Sequence, residues 1–197
     1  RRYAAHSAAQ HLFLPLQISW RAKTGLSRLI SAEALGPHRL LSGHGLYTGL
    51  YLNELLVRLL APQDPHPTLF DLYAQQVADL ALHGPNENSL RHFEIQLLQQ
   101  LGFELALEKD AMGAPIQTGL QYYYRFGEGA HAASEDVKAC GRGVWIAGDS
   151  LLQLALGNTM STTALSDAKR LIRMALHHVL EGRPLHSRAL FKKVLTK

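Results

Sequence analysis

Residues Tyr47–Leu60 read YTGLYLNELLVRLL, and this stretch decides the fold class. Leu52, Leu55, Leu56, Leu59 and Leu60 recur at i, i+3, i+4, i+7 and i+8, with Leu50 and Tyr51 widening the apolar surface. That period is helical, and so few polar positions predict a central, largely buried helix. Pro62 and Pro65 close it. Downstream, Thr68 is placed to cap a second helix carrying Phe70, Tyr73, Val77 and Leu80, which ends at His83-Gly84-Pro85. Asn88 or Ser89 opens a third, with Leu90, Phe93, Leu97 and Leu101 on one face and Gly102 as its stop.

Residues 103–147 lose this period. Tyr122-Tyr123-Tyr124-Arg125-Phe126, the turn Gly127-Glu128-Gly129 and Val144-Trp145-Ile146 predict a small β-rich insert. Asp149 or Ser150 then caps a short helix ending at Gly157. Leu165, Ala168, Ile172, Ala175 and Val179 mark a long amphipathic helix closed by Gly182 and Pro184, and a short helix follows from about Ser187.

Upstream the pattern is β. Residues 12–19 (LFLPLQIS) and 26–31 (LSRLIS) read as two short strands, with Pro15 suited to an edge or bulge. Two strands alone are only marginally stable, so this piece reads as the remnant of a larger β domain. The chain is therefore α+β: an incomplete β domain over residues 1–36, then a mainly helical domain over 37–197 with an insert at about 103–147.

The 197 residues are 47% apolar and 18% charged, enough for a real core and unlike a disordered chain. No run approaches the ~20 apolar residues of a spanning helix. One cysteine, Cys140, excludes an intramolecular disulfide and any multi-cysteine metal cage.

The net charge of +4 is unevenly spread. Residues 1–42 carry +5, 43–110 carry −6, 111–160 carry −1 and 161–197 carry +6. Two basic ends meeting in space would make one phosphate-binding face; an ordinary solvated surface is the competing reading. Arg1, Arg2, Arg21, Lys23, Arg28 and Arg39 supply cations beside the strands. Lys169, Arg173 and His177 line up at i, i+4, i+8, away from Ala168, Ile172 and Ala175. Arg170, Arg183, Arg188, Lys192 and Lys193 add to that basic end.

Catalytic patterns fail on inspection. Gly148-Asp149-Ser150-Leu151 after an apolar strand looks like the nucleophile block of GDSL-type hydrolases, which need a histidine base and an orienting carboxylate. The Asp-x-x-His pairing is missing, because the only later aspartate, Asp167, precedes Ala168-Lys169-Arg170. His177 and His178 are adjacent and point to different sides of a helix, and no His-x-x-x-His pair occurs. Gly141-x-Gly143 lacks the rest of a phosphate loop.

Gly49-Leu50-Tyr51-Leu52-Asn53-Glu54-Leu55-Leu56 is similar to the helical-domain signature of the RecO family of bacterial recombination mediators. The likeness extends through Ser31-Ala32-Glu33-Ala34, Leu90-Arg91-His92-Phe93-Glu94, and Ala168-Lys169-Arg170-Leu171-Ile172-Arg173-Met174-Ala175-Leu176. It closes with Gly182-Arg183-Pro184-Leu185-His186-Ser187-Arg188-Ala189-Leu190-Phe191. The resemblance implies an N-terminal OB-fold, of which 1–36 would be the C-terminal part, a complete member having roughly forty more residues at the start. It also implies a DNA repair and recombination role without turnover or cofactor. Such a protein binds single- and double-stranded DNA, anneals strands, and engages RecR and the C-terminal tail of single-stranded-DNA-binding protein (SSB) to help load RecA, in the nucleoid-associated bacterial cytoplasm. A protein–protein adaptor that never touches DNA is the alternative. Relatives with a four-cysteine zinc site differ from this chain, whose insert holds Cys140 alone, so no zinc is carried over.

The SSB tail is acidic and ends in an apolar residue bearing the terminal carboxylate, which calls for an apolar pocket with a cation at its rim. The expected pocket sets Arg91, Leu90 and Phe93 of the third helix against Leu52, Leu55 and Leu56 of the first. The competing reading makes these leucines core and pairs Arg91 with Glu94 or Glu87.

Overall fold

A computed structural model describes residues 11–21, 27–133, 142–157 and 159–195, the last five by backbone alone. Arg1, Arg2, Lys23, Cys140 and the side chains of Lys192 and Lys193 lie outside the described residues. The architecture is α+β. Strands β1 (Leu16–Arg21) and β2 (Arg28–Ala34) precede helices α1 (Gly43–Leu59), α2 (Pro67–His83) and α3 (Glu87–Gln100). A three-stranded sheet follows, of β3 (Gln121–Arg125), β4 (Gly129–Ala132) and β5 (Gly143–Ala147), and then α4 (Gly148–Leu156), α5 (Thr162–Val179) and α6 (His186–Leu195).

The core gathers around α5. Ala168, Leu171, Ile172, Ala175 and Leu176 are fully buried, as are Leu52 and Leu55 of α1 and Leu97 and Leu98 of α3. Its polar face, with Arg173 and His177, stays exposed as the period requires. The insert is an antiparallel sheet in the order β4–β3–β5. Tyr122 and Tyr124 alternate inward from its central strand, and Ile146 joins them from β5. The preceding loop is tied by Asp110, whose carboxylate accepts the N–H groups of Met112 (2.9 Å) and Ala114 (2.8 Å).

Helix starts differ from the expected ones for local reasons. α2 begins at Pro67, not after Thr68, because proline is preorganised for the first helical position and loses no hydrogen bond there. Phe70 is exposed, and Leu69 takes its place in the buried stripe. α3 is capped by Asn86, whose side chain accepts the Ser89 N–H at 3.2 Å. Neither Asp149 nor Ser150 caps α4: the cap position is Ala147, Asp149 accepts the Gly119 N–H at 2.7 Å, and Ser150 donates to Asp167 at 2.7 Å. Gly157 does end α4, in the left-handed region.

The first two strands sit a few residues later than the apolar runs suggest and pair antiparallel, with a bulge between Ser19 and Trp20. Pro15 lies just before β1, where its carbonyl accepts the Leu35 N–H at 2.9 Å. Leu16, Ile18 and Trp20 share one face, and Ile18 and Trp20 are half exposed or more. The segment before β1 returns to α1, where Phe13 and Leu41 approach Gly49 so closely that a Cβ there would stand 2.8 Å and 2.6 Å from them. The signature glycine is a packing requirement.

Candidate functional site

Two sets of exposed cations stand out. On the strand pair, Arg21 and Arg28 are directly opposite in the β1–β2 register, and both are exposed. Like charges facing each other across a ladder repel, an arrangement that an anion between them would relieve. Arg39 lies on the return segment, where its backbone N–H donates to Phe13 O at 3.2 Å. On α5, Arg173 is exposed, and Lys169 reaches Glu87 of α3 at 2.9 Å. The hydrogen bond from Lys169 is the main reason the Glu87 carboxyl lies below its ordinary range.

Other cations of the basic end hold the fold. Arg170 binds Asp167 and donates to Trp145 O at 2.8 Å, fastening α5 to β5. Burial alone would raise the Asp167 carboxyl, but hydrogen bonds from Ser150, Arg170 and the Ala147 N–H hold it below the usual range. Ser150 is thus a buried donor to a carboxylate, with no histidine on its hydroxyl among the described residues. The hydrolase arrangement is not built. Nor do the described residues bring three histidine, cysteine, aspartate or glutamate side chains together where they could hold a metal ion.

Arg91 does not reach the surface. It is 5% exposed and pairs with Glu94, which is fully buried and also accepts a hydrogen bond from the Tyr51 hydroxyl. Burial raises the Glu94 carboxyl above its ordinary range, with Arg91 pulling the other way. Arg188 of α6 lies over the Tyr51 ring, 5.5 Å from its centre. Leu52 and Leu55 are sealed in the core and Phe93 is 2% exposed, turned away from any opening between α1 and α3, while Leu56 and Leu90 are partly buried against the core. The expected pocket between α1 and α3 is therefore filled by the protein's own side chains, as the competing reading had it.

The open space near the start of α3 lies on its other side. A cleft of about 460 Å³ runs between α2 and the first turns of α3, closed at one end by Gly157 and Thr159. Leu72 and Phe93 give it apolar surface, and Gln76, Asp79, Ser89 and His92 line the rest. Sequence reasoning passed over Gln76, Asp79 and His92. The available signal was Gln76 itself, an amide between Tyr73 and Val77 in the apolar stripe of α2.

The described residues thus define an α+β domain that presents cations on a strand pair and on a long helix. The family model for the C-terminal region of recombination protein O matches residues 41–189. A Pseudomonas paraeruginosa (strain PA7) protein named DNA repair protein RecO is 42% identical over 179 residues, covering 91% of this chain and 75% of the relative. Proteins of the same name from Alkalilimnicola ehrlichii and Azoarcus sp. (strain BH72) are 39% and 36% identical. They cover 92% and 99% of this chain, and 72% and 81% of their own lengths. The chain belongs to the RecO family. Among the described residues, no helix is long and apolar enough to cross a membrane.

Proposed function

We propose that this chain is a recombination mediator that binds single- and double-stranded DNA and anneals complementary strands without catalytic turnover. It engages RecR and the acidic C-terminal tail of SSB, and so helps load RecA onto SSB-coated DNA in the nucleoid-associated cytoplasm. Residues 1–36 then belong to an OB-fold, and residues 37–197 form the helical domain with its insert. The observation that carries DNA binding is the exposed, facing pair Arg21 and Arg28, which suits a backbone phosphate and reads no base. Arg1, Arg2, Lys23 and Arg39 extend that surface in sequence, and Lys169 and Arg173 offer a second one.

The SSB tail is assigned to the cleft between α2 and α3. It combines apolar walls at Leu72 and Phe93 with the N-terminal turn of α3, whose N–H groups favour an anion, and His92 stands in its lining where Arg91 does not reach. Anisotropy of a labelled oligonucleotide, titrated with the full chain at several salt concentrations, tests DNA binding. Salt-dependent binding is the expected result; its absence would leave an adaptor role. Calorimetry with an acidic tail peptide tests the cleft.

A further inference from the structure

Phe13 stands at φ +60°, in the left-handed region that a bulky side chain rarely adopts. Such an outlier persists only where its surroundings hold it in place. Residues 11–15 lead into β1 and residues 35–41 lead out of β2, and the two segments form a neck. Pro15 O accepts the Leu35 N–H at 2.9 Å, Phe13 O accepts the Arg39 N–H at 3.2 Å, and the His38 ring donates to Leu12 O at 2.8 Å. From this neck the Phe13 ring reaches α1 at Gly49. A Cβ on Gly49 would stand 2.8 Å from the ring and 2.6 Å from Leu41, and the three atoms nearest to it all belong to these two side chains of the neck. Glycine inside a helix is unfavourable relative to alanine, so its place in α1 calls for a neighbour that needs the space.

We infer that Phe13 and Gly49 form a plug and socket that fixes the direction of the β1–β2 strand pair against the helical domain, which makes Phe13 a positioning residue for DNA. The positioning role rests on the reading that the Arg21–Arg28 pair and the cations of α5 both contact DNA. Among the described residues, β1 and β2 pack chiefly on each other rather than on the helices, so the neck is where their direction is set. Two cationic surfaces on one rigid body bind a strand together: once the first is engaged, the second meets it at a high effective concentration. A loose neck lowers that concentration and leaves every cation in place. The plug also sits close to the cations it directs, because the carbonyl of Phe13 holds the backbone of Arg39.

The test is a distance measurement by pulsed electron resonance on the full chain. Spin labels go on Gln17→Cys of β1 and Gln99→Cys of α3, both exposed, in a Cys140→Ser background. One narrow distance distribution is expected. Gly49→Leu drives the ring out of its socket, and Phe13→Asn removes the ring while keeping a residue that tolerates the left-handed region. Each is expected to broaden the distribution and to leave the melting temperature of the helical core unchanged, since a side chain at 49 meets atoms of the neck first. In the unlabelled variants, affinity for a labelled oligonucleotide is expected to fall about tenfold at an unchanged salt slope, because the phosphate contacts survive and only their joint geometry is lost. A broad distribution without either substitution, or a narrow one in both variants, overturns the plug. Broadening with unchanged affinity, or with a flattened slope, overturns the positioning role. A wild type that does not bind the oligonucleotide ends the DNA reading, while the distances still decide the plug.

Discussion

The Glu54 carboxylate caps α6 across the domain interior: it accepts the Ser187 N–H at 2.8 Å and the Ser187 hydroxyl at 2.6 Å, 133 residues away in sequence. The His186 N–H adds a third bond at 2.8 Å, and Arg58 stands 2.9 Å from the same carboxylate. A side chain from α1 thus does for α6 what a local cap does elsewhere.

Acid should release this joint. Burial would raise the Glu54 carboxyl, but the bonds from Ser187 and His186, with Arg58 beside it, hold it below the ordinary value. A carboxyl depressed in the folded state contributes stability above its unfolded pKa of roughly 4.3, and loses it as pH falls through the folded value. Glu54→Gln is expected to cost about 1–2 kcal/mol at pH 7, with the deficit shrinking as pH falls below ~4.3. Urea denaturation of both proteins at pH 7 and pH 3.5 measures it. A constant deficit at both values would mean that charge plays no part.

The buried pair of Arg91 and Glu94 behaves in the opposite sense. Removing one partner strands a charge in the core, which typically costs about 3–5 kcal/mol, while replacing both by apolar residues of similar size is often neutral. Arg91→Ala should therefore be strongly destabilising, and Arg91→Met with Glu94→Leu markedly less so. A double variant as unstable as Arg91→Ala would show that the cavity and the Tyr51 hydroxyl dominate instead. Chemical denaturation reads both variants.

The helices were legible because the leucines of α1 and the Ala168–Ile172–Ala175 ladder of α5 repeat at the helical period. The direction in which Arg91 points was not. It is one residue from His92, a shift of about 100° on a helix, which separates the core from the cleft. Periodicity places Phe93 and Leu97 inside, but the length of an arginine lets it reach either way. Only the buried Glu94 one turn on, met by Tyr51 from α1, decides its direction. The cap of α4 failed for a similar reason: Asp167, the acceptor that takes the Ser150 hydroxyl, comes from a different helix. Long-range polar partners leave no local pattern.

The loop of the insert ahead of β3 is expected to hold without metal. Asp110 ties it internally by accepting from Met112 and Ala114. Elemental analysis of the purified protein should find no stoichiometric zinc, and a chelator should leave the melting temperature unchanged. Asp110→Ala should lower that temperature by a few degrees, equivalent to about 1 kcal/mol. One zinc per chain, or a chelator-sensitive transition, would overturn this account of the insert.

The DNA surface can be dissected through salt. Each phosphate contact made by a cation adds roughly −0.7 to the slope of log K against log salt for single strands. Arg21 and Arg28 face each other on β1 and β2, and removing their mutual repulsion should not harm the free protein. Arg21→Ala with Arg28→Ala is therefore expected to weaken oligonucleotide binding and flatten the slope by about 1.4 when each arginine holds one phosphate, while the melting temperature holds or rises. Adding Arg1→Ala, Arg2→Ala and Lys23→Ala should flatten it further. Arg173→Ala on α5 separates the two basic ends: a reduced slope there makes α5 part of the same DNA face, and an unchanged slope confines binding to the strand pair. Affinity should change little with oligonucleotide sequence, because phosphate contacts carry no base information. An unchanged slope in the Arg21 and Arg28 variant would remove the strand pair from the DNA-binding surface.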